Sequence, residues 1–152
     1  MRVVLVANND RADLSGIRPA DVLCQFNHCQ HYDRLAHHQG PRIIVWRVNG
    51  AGDVSGWHGA TPARDYVADL CVTLGHHARV EYECERRGWP YRAVTRQPRY
   101  GRGIPSTGFW TAAILHRMGL SIALCGFTGG GWPGHDWQHE RAWFDARDIA
   151  RI

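Results

Sequence analysis

The chain contains no lysine: all 18 of its basic residues are arginine. A bias this complete follows the codon usage of a GC-rich genome, so no single arginine is read as a functional choice. It also lacks any apolar run near the roughly 18 residues a membrane span needs. The five apolar residues after Arg2 are too few for a signal peptide and predict a first strand. Both absences point to a protein with no membrane span and a cytoplasmic location. The five cysteines (Cys24, Cys29, Cys71, Cys84 and Cys125) are odd in number and never spaced as CxxC, which excludes a disulfide scaffold and a zinc ribbon. There is no internal repeat or low-complexity tract, and nothing matches a helix-turn-helix, an RNA-recognition motif or a zinc finger. A specific nucleic-acid partner is therefore not expected.

What is present describes an ordinary globular chain. A length of 152 residues suits one domain over 1–152, and a hydrophobic content of 44% suffices for a packed core. A formal charge of +4 and a pI near 9.0 favour anionic partners.

The most informative stretch is GIPSTGFWTAAILHRMGLSIALCGF, from Gly103 to Phe127. Ser106 and Thr107 can cap a helix, Pro105 keeps the entering chain extended, and Gly119 stands where a left-handed C-cap belongs. Leu120 to Leu124 then has the length and character of a buried strand. Helix capping alone would explain Ser106 and Thr107. A capped helix N-terminus beside a strand that ends at Gly126 can also hold an anion.

Elsewhere, RVVLVA over 2–7 predicts a strand covered on both faces that opens into Asn8-Asn9-Asp10. That loop reads equally as a ligand-binding strand end or as an Asx turn into a short helix over 11–14. Asp21 to Phe26 and Arg42 to Val48 predict two more strands, the former ending in Asn27-His28. The segment between them carries His28, His31, His37 and His38, but without HExxH or a carboxylate-spaced triad no metal site is expected. The glycine-rich stretch 50–59 reads as a loop. Thr61-Pro62 predicts a helix running to about Leu74 with Tyr66, Val67, Leu70, Val72 and Leu74 on its packed face. A charged helix over 79–87 and a strand over 91–95 follow. RQPRYGR, over 96–102, is either a solvated loop or a phosphate-binding one. After a glycine-laden turn, residues 135–147 predict a final helix with His135, His139 and Trp143 on one face and Glu140 on another. His135, beside Asp136 at the mouth of the glycine loop, is suited to act as a base.

The element order implies an α/β fold: a single Rossmann-like layered domain whose mainly parallel sheet is flanked by helices. Asn8, Asn9, Asn27, Ser106, Thr107, Gly126 and His135 would then meet at the carboxyl edge of the sheet.

These motifs resemble those of the family 29 sialyltransferases, in a small bacterial-type form. VANN (6–9) with CQFN (24–27) is similar to the two ends of that family's large motif. PSTG with a downstream CGF (105–127) resembles its small motif, and HDWQHE (135–140) its very small one. The resemblance implies a GT-A-like variant of the layered fold and a metal-independent, inverting glycosyltransferase without a cofactor. Its donor would be a CMP-activated acidic sugar such as sialic acid or Kdo. It implies that Asn8, Asn9, Asn27, Ser106, Thr107, Gly108, Gly126, Phe127 and Thr128 hold the nucleotide, with His135 as general base and Glu140 as its catalytic companion. The partners would be the nucleotide-sugar donor, a glycan or small-molecule acceptor, and a second copy in a homo-oligomer. The family's disulfide and its separate His-Tyr motif have no counterpart here, and the chain is short. A hydrolase of CMP-sugar or nucleotide, or a non-catalytic nucleotide-binding accessory protein, would use the same pocket.

Overall fold

The computed structural model describes residues 1–27, 29–47, 62, 65–95, 100, 103–131 and 133–152. The expected loop at 50–59, His28, Trp132 and all of 96–102 except Tyr100 lie outside them.

Seven strands form one sheet: β1 (Arg2–Val6), β2 (Val22–Phe26), β3 (Arg42–Val45), β4 (Leu70–Leu74), β5 (Tyr91–Val94), β6 (Ser121–Cys125) and β7 (Ala150–Arg151). Every pairing is parallel, in the order β5-β4-β3-β2-β1-β6-β7. Among the described residues three helices accompany the sheet: α1 (Ala78–Arg87), α2 (Thr107–Arg117) and α3 (Trp137–Asp145), with a 3-10 turn at Asp33–Leu35. The fold is α/β and Rossmann-like, as the element order implied.

A parallel strand buried on both faces needs apolar side chains at odd and even positions alike. In β1, Val3 and Leu5 join Val22, Cys24 and Leu124 against Phe109, Ala112 and Phe144 of α2 and α3. Val4 and Val6 join Leu23, Ala123 and Cys125 on the opposite face, which the loop after β1 and Leu35 cover. On that same face Ile44, Trp46 and Cys71 pack against Val80 and Cys84 of α1. All five cysteines are buried thiols.

Three expectations are corrected. Leu70–Leu74 is strand β4, not the end of a helix; the expected helix start at Thr61 lies outside the described residues. Leu70, Val72 and Leu74 point one way while Cys71 and Thr73 are fully buried on the other. Asp69 also exchanges main-chain and carboxylate bonds with Arg42, which locks this segment to β3. The Asx turn is there, with Asn9 Oδ1 accepting the Arg11 N–H (3.1 Å), but no helix follows it over 12–14. The last helix starts at Trp137, because the carboxylate of Asp136 caps it by accepting the His139 N–H at 2.9 Å. His135 thus precedes the helix and shares no face with His139, which packs between the rings of Tyr100 and Phe109. β7 was not anticipated; two residues give no readable period.

Among the described residues no helix is long and apolar enough to cross a membrane.

Candidate functional site

In the strand order, β2 to β5 build outward on one side of β1, and β6 and β7 lie on the other. The direction of winding therefore reverses between β1 and β6. At such a point the connections leave on opposite sides and a crevice opens beyond the strands' carboxyl ends.

Three asparagines finish the strand tips around that crevice. Where strands stop, their last carbonyls lose ladder partners, and a carboxamide can supply both a donor and an acceptor. Asn9 Nδ2 donates to Gly126 O (3.1 Å), tying β1 to β6. Asn8 Nδ2 donates to Phe26 O (2.9 Å) while its Oδ1 accepts from Gln30 N (3.1 Å), tying β1 to β2. Asn27 Oδ1 accepts from Arg47 N (3.0 Å), tying β2 to the chain beyond β3. Its φ of 51° is a left-handed conformation that asparagine tolerates better than most residues. The carboxamides brace the edge of the sheet, so the crevice is held open by side chains that each already serve a second strand.

The fourth wall is the N-terminus of α2. Ser106 is its N-cap, and its Oγ accepts the Phe109 N–H at 3.0 Å. The Ser106 hydroxyl proton goes to Glu140 Oε2 (2.6 Å), and the Ser106 N–H goes to Glu140 Oε1 (2.7 Å). This is a capping box closed by a carboxylate from a different helix. Thr107 and Gly108 follow as the first residues of the helix, and they face the crevice. At its far end the helix stops in a full Schellman motif: Gly119 (φ 73°) donates to His116 O and Leu120 to Leu115 O.

These walls enclose a cavity of about 260 Å³ lined by Asn8, Asn9, Asn27, Ser106, Thr107, Gly108, Gly126, Phe127 and Thr128, together with Gly129, Gly130 and Trp137. Every residue expected to hold a nucleotide is there. A second cavity of about 510 Å³, with Arg11, Asp13 and Arg151 at its edge, adjoins it across Asn9, Gly126, Phe127 and Thr128. The chain matches no protein-family model, no curated protein and no solved structure.

The two residues expected to be catalytic do not line the cavity. Glu140 is 2% exposed and sits behind the cap, where it also accepts the Tyr100 hydroxyl at 3.0 Å. Burial, with Glu140 adding to it, pushes the Tyr100 phenol up to about 12. His135 lies on the rim. Its Nδ1 donates to Ile104 O at 2.6 Å, which sets the neutral ring's lone pair at Nε2. Its ring stands edge-on to Trp137 with centroids 5.0 Å apart, and Trp137 lines the cavity. Gly103 and Gly134 permit this arrangement: Ile104 N donates to Gly134 O, and a Cβ on Gly103 (φ 77°) would come within 2.8 Å of that same oxygen.

Sequence reasoning missed two members of the site. Trp137 was not among the expected site residues, although a tryptophan directly after an Asp N-cap points back toward the helix entrance. Arg47 was read as part of a strand. Its guanidinium Nη1 donates to Pro105 O (2.8 Å), and burial lowers its pKa while the charge of Glu140 opposes that shift. No local pattern marks such a residue, because its partners are 58 and 93 positions away. Among the described residues no three His, Cys, Asp or Glu side chains gather as metal ligands.

Proposed function

We propose that this chain is a metal-independent, inverting glycosyltransferase that takes a CMP-activated acidic sugar, with His135 as general base. One observation carries the reading. Residues singled out on four separate segments line a single cavity at the reversal point of a parallel sheet, with a helix N-terminus forming one wall. That wall offers the Thr107 and Gly108 N–H groups and the Thr107 hydroxyl to a phosphate. The Ser106 hydroxyl is already committed to Glu140 and Phe109, so it shapes the wall without serving as a ligand.

In the reaction, the acceptor hydroxyl loses its proton to His135 Nε2 and its oxygen bonds to the anomeric carbon. The bond from that carbon to the phosphate oxygen breaks, and CMP leaves with the electron pair. Charge growing on the phosphate is met by the helix N–H groups. The adjoining cavity, with Arg11 and Arg151 at its edge, supplies space for an acidic sugar beside the nucleotide. A second reading, a nucleotide-binding module without transfer activity, is favoured by one fact: His135 stands on the rim rather than in the lining.

Thermal melting and calorimetry with CMP test the proposal. At a ligand concentration near a hundredfold of Kd the melting temperature should rise by about 5 to 10 °C. No shift with CMP, CDP or a CMP-sugar would sink the nucleotide reading. Product chromatography with and without acceptors then separates transfer from hydrolysis, and binding without turnover would leave the module.

A further inference from the structure

Glu140 is a carboxylate buried directly behind the end of α2 that the cavity exposes, and it accepts three donors: Ser106 N–H, Ser106 O–H and Tyr100 O–H. A negative charge in this place opposes the binding of any anion at the same helix end. Arg47 reaches the same turn from the tip of β3. Its guanidinium holds Pro105 O at 2.8 Å, one residue before the N–H that Glu140 holds, and its main-chain N–H fixes Asn27 of the cavity lining. The two charges therefore meet on one dipeptide, Pro105-Ser106.

We propose that the half-buried Arg47 and the buried Glu140 act as a charge-balancing pair that fixes the Pro105-Ser106 turn and keeps the cavity receptive to an anionic ligand. Arg47 cancels the field of Glu140, so that the Thr107 and Gly108 N–H groups act on a phosphate unopposed. Neither side chain touches the ligand; both are positioning residues. The ligand half of this inference rests on the phosphate-binding reading above, and the pairing half does not.

The test uses Arg47→Met, Glu140→Gln and the double variant, each checked for cooperative melting, with CMP and uncharged cytidine as probes. Arg47→Met should weaken CMP about tenfold or more while cytidine changes by less than about threefold, because only the phosphate feels the uncovered charge. Removing the carboxylate as well should restore CMP affinity to within about threefold of the parent. Equal loss of CMP and cytidine, or a double variant no better than Arg47→Met, overturns charge balancing. If the parent protein binds neither probe, the phosphate reading has failed, and the melting temperatures decide the pairing on their own. Glu140→Gln should then lower the melting temperature less in the Arg47→Met background than in the parent, and equal drops in both backgrounds overturn the pair.

Discussion

Gly108 and Phe127 are in contact across the cavity. The first turn of α2 closes so tightly on the ring that a Cβ added to Gly108 would overlap its edge and lie 2.7 Å from Cζ. The ring is held in turn by edge-on contacts with Phe26 and Phe144, both at 6.2 Å between centroids.

A methyl group at position 108 should therefore act on the site through residue 127. Gly108→Ala should cost about 1 to 3 kcal/mol by overpacking and should weaken ligand binding as the ring is driven from its place. Adding Phe127→Leu should recover part of both losses. Melting curves and CMP titrations of the single and double variants check this; unaltered binding in Gly108→Ala would show that the ring does not shape the pocket.

The trans capping box makes Glu140 a stability residue. Glu140→Ala strands the Ser106 N–H and leaves Arg47 without its counter-charge, and should cost about 3 to 5 kcal/mol. Ser106→Ala loses a cap and should cost about 1 kcal/mol. Because both remove the bond between the Ser106 hydroxyl and the Glu140 carboxylate, the double variant should cost less than the two together. Urea denaturation measures all three, and strict additivity would mean that the two residues do not act as one cap.

Replacing His135 should separate chemistry from binding. His135→Ala should lower turnover by about 10² to 10⁴ while CMP affinity stays within a few-fold, since the ring lines no part of the cavity. A parallel fall in affinity would instead place the residue in the binding wall. Retained turnover would remove it from the mechanism.

At the opposite edge, Asp21 sits in an ion pair with Arg2 (2.5 Å) and accepts the Arg18 N–H at 2.7 Å. The hydrogen bond from Arg2 is the largest influence holding the Asp21 carboxyl below its usual value. A carboxyl lowered in the folded state contributes stability that is fully present above the unfolded value of about 3.9 and is lost as pH falls toward the folded one. Asp21→Asn should thus lower stability at pH 7 and flatten the acid limb of the stability curve below about pH 4. A parallel downward shift at every pH would contradict this.

The sheet and the site were not equally legible in the sequence. Strands such as RVVLV and SIALC are apolar on both faces and bounded by Asn or Gly, so their type and the tips that line the cavity could be read directly. LCVTL has the same character, but Pro62 ahead of it and apolar residues at 66, 67 and 70 imitate a helix. What decides for the strand is Asp69 gripping Arg42, a long-range contact with no local trace. The cavity lining was legible because strand tips and a capped helix follow from local chemistry. The roles of the side chains were not. Asn8 and Asn9 serve as braces, and Glu140 serves Ser106, through partners distant in sequence.

Of the sheet's seven strands, β1 comes earliest in the chain and is central to the sheet, yet one of its neighbours, β6, begins only at Ser121. Loop closure over that separation is slow compared with the formation of helices or hairpins. Until then RVVLV is an apolar edge, open to mispairing with other chains. The crevice needs both neighbours of β1, so ligand binding should arise late in folding and be absent from any fragment that lacks either end of the β1–β6 pair.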